Sequence, residues 1–421
     1  MRFDKLIYCF ILFLAFAILP LTAQDSFWQS DEPPVIPVGE DAYLHWDKLP
    51  YQRIGMRAYM RSTYDRQGNN RGADASHYLY QESDSFNVTL DVKGKGFLYF
   101  MRTNHFHGSP WHCEIDGRDF IVQETATDDP IEAKRKYSKT TFIPRELFPE
   151  PLTFTWTTTK GADLMWRPIP FSESLRIAYS RTFYGTGYYI YHMYPHQISH
   201  ISHEITGWDH KPPSPRVLEI LNTSGGNILT PNMMVSLSAG QVSLQPLERK
   251  VIYEMDAPPS MIRAIQFSIP RDQDYAFGKC RMRITWDHRW HASVDAPVDL
   301  FFGSGILYND NNREYLVKGF PLSIRYDADS VYLSCYWPMP FFEHISMELE
   351  ERTGKSLKGI RWKISKVPFD DPINHVCYFH ASYADHKHTK QGEDITFLDT
   401  ESMEGGGDWS GNFVGMSWIF S

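Results

Sequence analysis

A stretch near the middle of the chain recurs 170 residues later. Pro170-Phe171-Ser-Glu-Ser-Leu175-Arg-Ile177 resembles Pro340-Phe341-Phe-Glu-His-Ile345-Ser-Met347. Upstream, His112-Cys-Glu-Ile-Asp-Gly117 resembles Arg283-Ile-Thr-Trp-Asp-His288 at an offset of 171, and Phe86–Phe100 resembles Lys250–Phe267 more loosely. Each copy of the Pro-Phe run is followed by a glycine-containing turn, an aromatic or β-branched run and a proline, as in Tyr188–Pro195 and Ile360–Pro368. A repeat on this scale means one supersecondary plan built twice, with each copy burying its own apolar face.

The repeated runs read as strands. Phe86, Val88, Leu90 and Val92 alternate with polar residues, as do Leu175, Ile177 and Tyr179; Leu152–Thr159 alternates aromatics with threonine. Phe97–Met101 is a continuous apolar run of the length of one buried strand. Helical periodicity seldom lasts beyond two turns, and Arg216–Leu221 is the best short helical candidate, still ambiguous with strand. An aromatic content of 15% argues against disorder and against a helical array. The expected class is all-β: two tandem jelly-roll β-sandwich domains of about 170 residues each. The expected segments are 24–50 as an irregular lead-in, 51–210 as the first sandwich, 211–240 as a linker and connecting segment opening on Lys211-Pro-Pro-Ser-Pro215, and 241–421 as the second sandwich. Phe413–Ser421 alternates like a strand and then stops without a polar cap, so the second sandwich is expected to be incomplete.

The first residues predict export. Arg2 and Lys5 precede an apolar run from Leu6 to Leu21, and Thr22-Ala23 offers a small-residue cleavage site, the pattern of a signal peptide over 1–23. The expected location is secreted or periplasmic, with no membrane association after cleavage. A net charge of −9 and no basic block longer than Lys134-Arg135-Lys136 argue against a nucleic-acid partner. Cys113, Cys280, Cys335 and Cys377 form no Cys-x-x-Cys pair, which excludes a zinc ribbon and favours buried free thiols in strands.

Four polar-aromatic clusters could carry chemistry. Ser62–Asn70 holds Asp65, Arg66 and two asparagines around a glycine; it can present directional hydrogen bonds to sugar hydroxyls, or form an Asx-turn with a local ion pair. Asn104–His112 brings His105 and His107 onto one strand face, a spacing that two metal ligands need, although such a loop as readily lines a sugar pocket; no metal or cofactor is expected. Ser334–Phe342 has prolines two apart and reads as a rigid bend, with Tyr336 and Trp337 either stacking on sugar rings or packing in the core. Asp399–Trp409 is acidic and glycine-rich; Glu401 and Glu404 could form a carboxylate pair, but a solvated loop is the default.

Taken in order, these pieces resemble glycoside hydrolase family 172, the domain of unknown function numbered 2961. The matching segments are Ser62–Asn70, Tyr78–Glu82, Asn104–Cys113, Asp299–Gly303, Val317–Pro321, Val331–Phe342, Lys358–Lys363, Tyr378–His386 and Trp409–Phe420. The resemblance implies two jelly rolls, trimeric or hexameric assembly, and retaining cleavage or rearrangement of α-D-arabinofuranosides or α-D-fructofuranosides, hence a glycan or oligosaccharide partner. It also implies two catalytic glutamates, in Glu-Gly-Asp and Gly-Thr-Gly-Thr-Glu segments C-terminal to the strand matched by Gly411–Phe420. Neither segment occurs before Ser421, so no catalytic residue is assigned. The expectation is a C-terminally truncated, inactive member, with a non-catalytic carbohydrate-binding or structural double jelly roll as the alternative. From side-chain chemistry alone, Asp65, Asn104 and His105 would bond a sugar, Arg66 would orient it, and Tyr336 and Trp337 would stack on it.

Overall fold

The computed structural model describes residues 29–67, 77–83, 86–103, 110–125, 139–179, 187–229, 235–390, 392–393, 395–400, 404 and 411–419. The signal-peptide region, Asn104, His105, His107, Lys134–Lys136 and Glu401 lie outside them. The chain divides into two compact units. The first comprises Val35–Lys48 and Arg53–Thr223; the second comprises Ser224–Ser421, Leu49–Gln52 and the residues up to Pro34.

In the first unit the strands are β1 (Arg57–Ser62), β2 (Tyr80–Ser83), β3 (Phe86–Lys93), β4 (Lys95–Thr103), β5 (Trp111–Ile115), β6 (Arg118–Glu124), β7 (Phe142–Ile143), β8 (Thr153–Phe154), β9 (Asp163–Met165), β10 (Ile169–Phe171), β11 (Ser174–Tyr179) and β12 (Gly187–Tyr194). One sheet runs β1-β12-β4-β9-β8, with β10 also on β4; the other runs β2-β3-β11-β5-β6-β7. In the second unit they are β13 (Ser236–Leu244), β14 (Arg249–Asp256), β15 (Ser260–Pro270), β16 (Arg281–Trp286), β17 (Val294–Pro297), β18 (Tyr315–Lys318), β19 (Leu322–Tyr326), β20 (Ser330–Cys335), β21 (Met339–Phe341), β22 (His344–Glu350) and β23 (Leu357–Pro368). One sheet runs β13-β23-β15-β20-β19-β18, with β21 also on β15; the other runs β14-β22-β16-β17.

The two orders are the same plan. Position for position, β1, β12, β4, β9 and β8 answer to β13, β23, β15, β20 and β19, and β3-β11-β5-β6 answers to β14-β22-β16-β17. The residues repeated at an offset of 170 fall on β10–β11 and β21–β22. Pro170 pairs with Phe97, and Pro340 with Met261, each on a three-residue strand beside the main path, where a missing N–H breaks no long ladder.

Alternation sets the cores. Trp111, Cys113 and Ile115 of β5 face inward with Leu90, Leu98, Leu175 and Ile177. Met282, Ile284 and Trp286 of β16 meet Ile345, Met347 and Leu349 of β22 and Ile262 and Ile265 of β15. In the lead-in, Ile36 and Val38 are buried against Phe97, Tyr194 and Ile205. The structure is thus nearly all β, in antiparallel sheets stacked as sandwiches. Cys113, Cys280 and Cys335 are buried free thiols, although Cys280 lies just before β16 rather than in a strand.

Two local readings fail. Leu152–Thr159 is strand only at Thr153–Phe154; Trp156–Thr159 turns helical, because the Asp163 carboxylate accepts the Trp156 N–H at 2.9 Å and Lys160 closes the turn in the left-handed region. Residues 411–419 are not strand, despite their alternation. Among the described residues no strand edge pairs with them; Asn412 instead bonds the carbonyls of Leu49 and Tyr51, and Trp418 stands edge-on to Phe397. Arg216–Leu221 is helical, inside Pro215–Asn222, with proline at the first helical position.

Candidate functional site

The turn after β16 is built around Asp287. Asp287 and His288 both adopt left-handed backbone, φ 47° and 54°. That conformation aims the Asp287 carboxylate at the entry to β22. There it accepts the N–H groups of Phe342 (3.0 Å), Glu343 (2.7 Å) and His344 (2.9 Å), and the Tyr378 hydroxyl at 2.7 Å. The first unit repeats the device. Asp116, φ 50°, accepts the N–H groups of Ser172 (3.0 Å), Glu173 (2.7 Å) and Ser174 (3.0 Å) and the Ser172 hydroxyl at 2.9 Å. Burial alone would lift the Asp116 carboxyl, but these donors outweigh it and hold it below the usual carboxylate range.

Just beyond the Asp287 turn lies a polar cluster. Glu404 has a side chain only 7% exposed. It accepts the Ser293 hydroxyl at 3.1 Å, pairs with Arg289 at 3.1 Å and is hydrogen-bonded to Nδ1 of His380. The Arg289 guanidinium lies 5.2 Å over the Tyr378 ring, which links the cluster back to Asp287. Burial pushes the Glu404 carboxyl up, yet the bond and charge of His380, the charge of Arg289 and the Ser293 hydroxyl bring it below the usual range. Glu404 is therefore an ionised carboxylate at neutral pH. Ser293 bonds the carboxylate rather than the imidazole, so Ser293, His380 and Glu404 do not form a nucleophilic relay. Next to Arg289, Trp290 is 99% exposed.

The residues expected from sequence are distributed over both units. Asp65 accepts the Gln67 N–H at 2.9 Å, closing an Asx-turn. Arg66 donates to the carbonyls of Ser62 (3.0 Å), Tyr64 (3.3 Å) and His77 (3.5 Å) and lies over the Tyr64 ring, so its guanidinium braces the loop. Strand pairing brings the roots of the first two clusters to one sheet end: Ser62 sits opposite Tyr188, and Gly187 opposite Thr103, the residue before Asn104. Asn104 and His105 themselves are outside the described residues. At that same end Asp163 pairs with Thr103, and its burial, with the nearby charge of Glu124, pushes its carboxyl well above the usual range.

In the second unit Tyr336 is 2% exposed, and its hydroxyl accepts from Gln266 at 3.3 Å. Trp337 is half-buried against the main core. The bend thus serves side-chain packing at both aromatics. Glu404 departs from the solvated-loop reading, because distant Arg289, Ser293 and His380 enclose it. Arg289, Trp290 and Ser293 went unnoticed in the sequence; the available signal was the pair Asp287-His288, a copy of Asp116-Gly117, which marks where the loop leaves the repeated plan.

A family match falls on the stretch from β13 into β23. Residues 235–364 match the family model described as GH172 domain-like. The match supports the GH172 family of glycoside hydrolases and spans most strands of the second unit. No curated protein matches the chain. Among solved structures, salicylate 1,2-dioxygenase from Pseudoaminobacter salicylatoxidans, in adducts with gentisate, aligns over 87% of this chain and 91% of its own at 8% identity; its TM-score of 0.14 carries no argument.

Proposed function

We infer that this protein recognises α-D-furanosides, of the arabinofuranoside or fructofuranoside type, through its GH172-like unit, and holds the sugar without cleaving it. The observation that carries the reading is Trp290, 99% exposed within the matched stretch, on a loop whose neighbours Arg289 and Ser293 fix an ionised Glu404. The indole would stack on the apolar face of the ring, and the loop's polar groups would meet its hydroxyls. Retaining hydrolysis needs a carboxylate nucleophile and a carboxylic acid about 5–5.5 Å apart. Glu404 has the charge state of the first, but its partners among the described residues are an imidazole, a guanidinium and a hydroxyl, none of them that acid. Export to the periplasm or medium, argued from residues 1–23, and assembly into trimers or hexamers belong to the same proposal.

Titration of the full chain with arabinofuranosyl and fructofuranosyl oligosaccharides, followed by tryptophan fluorescence, tests it. Binding is expected, weakened about tenfold, or about 1.4 kcal/mol, by Trp290→Ala. No binding to either sugar would end the furanoside reading. Steady release of p-nitrophenol from the α-D-arabinofuranoside would end the claim that the sugar is held uncleaved.

A further inference from the structure

We propose that Asp256, His288 and His344 form a binding site for a borderline divalent cation of the zinc class, separate from the Glu404 cluster. Their ligand atoms all lie within 4.8 Å of one another. Asp256 Oδ1 is 3.8 Å from Nε2 of His288 and 3.9 Å from Nε2 of His344, and Glu254 Oε1 is 3.5 Å from Nε2 of His344. The two Asp256 separations are too long for hydrogen bonds. They suit two atoms sharing one ion, since ligands at about 2.1 Å lie up to about 4.2 Å apart. A modest rotation of the exposed His288 ring brings in the widest pair. Two imidazoles with a carboxylate select zinc, cobalt, nickel or copper over calcium and magnesium, which prefer all-oxygen sites.

His344 supplies a second observation. Its side chain is only 10% exposed, its Nδ1 finds no hydrogen-bond partner among the described residues, and its Nε2 points toward the carboxylates. Its ring stacks on His288, centroids 4.1 Å apart and planes 23° apart. The backbone under it is pinned by the Asp287 carboxylate, so the ring is held before any ion arrives.

The duplicated first unit acts as an internal control. There the residue after the turn aspartate is Gly117, φ 78°, where the second unit has His288 at φ 54°. Ser174 opposes Lys93 in the register where His344 opposes Asp256. The same backbone is thus made with lysine, glycine and serine, none of which would ligate here. The fold requires none of the three ligands, and His288 occupies a left-handed position that disfavours any side chain and that glycine would fill without strain.

The test uses the full chain stripped with a chelator, then titrated with zinc ions alone against a chromophoric competitor, with cobalt as spectroscopic probe. One tight equivalent is expected. His288→Gly, which installs the first unit's residue and relieves the backbone, and Asp256→Asn, at a carboxylate 84% exposed, are each expected to weaken it at least ~100-fold without lowering the metal-free melting temperature. Zinc should raise the melting temperature of the parent and of neither variant. Absence of stoichiometric binding in the parent would overturn the proposal. So would unchanged affinity in either variant, because the remaining histidines of the chain would then be the ligands.

Discussion

Replacing Asp116 by alanine removes the acceptor for three backbone N–H groups and one hydroxyl. A hydrogen bond contributes about 1 kcal/mol net, and those to a charged acceptor more. The turn is half-buried, so water replaces part of what is lost. Alanine at φ 50° also lacks the local bonding that lets aspartate tolerate the left-handed region, which costs roughly 1 kcal/mol. The expected destabilisation is about 4 kcal/mol, or about 10 °C in melting temperature for a unit of this size. Asp116→Asn keeps one carbonyl oxygen and should lose about half as much. Because Asp287 does the same work with Phe342, Glu343, His344 and Tyr378, Asp287→Ala should match it in size. Differential scanning fluorimetry reads the shift, and limited proteolysis reads which unit has loosened: residues 53–223 for Asp116, residues 224–421 for Asp287. A shift below about 2 °C for Asp116→Ala would refute the idea that this carboxylate ties β5 to β11.

The folded-state carboxyl of Asp116 lies below its unfolded value, so its contribution is present above pH ~4 and fades as pH falls through the lower folded value; the melting difference between parent and Asp116→Asn should shrink accordingly in acid. Glu404 shifts in the same direction, and Glu404→Gln should cost about 1–2 kcal/mol at neutral pH, read as faster proteolysis between residues 380 and 411, with no change there counting against the cluster. Burial pushes the thiols of Cys113, Cys280 and Cys335 up to about 12, so Ellman's reagent at pH ~8 should label them only after denaturation; rapid labelling of the native protein would contradict the core assignment.

Strand identity and the doubling of the plan were readable along the chain, because both rest on short-range patterns. Period-two burial places Trp111, Cys113 and Ile115, or Met282, Ile284 and Trp286, on one face whatever their partners. The aspartate turns and Pro-Phe runs repeat because each sandwich needs the same corner. Residues 411–419 carry that alternation too, yet a strand also needs a neighbour's backbone, and no local pattern says whether one is there.

The same division runs through the candidate site. Polar loops could be picked out by composition, but which groups meet within them could not. Arg66 is taken up by three carbonyls of its own loop region, and Tyr336 is sealed by Gln266 from another strand. Glu404 becomes an enclosed, ionised carboxylate only because residues 24 to 115 positions away converge on it. Trp290 gave no warning, since exposure belongs to the folded surface. Periodicity and turn chemistry are properties of neighbouring residues, so the chain alone specified the elements and their duplication. Burial, charge state and convergence depend on the low-dielectric surroundings that distant segments create, and those exist only once the sheets have stacked.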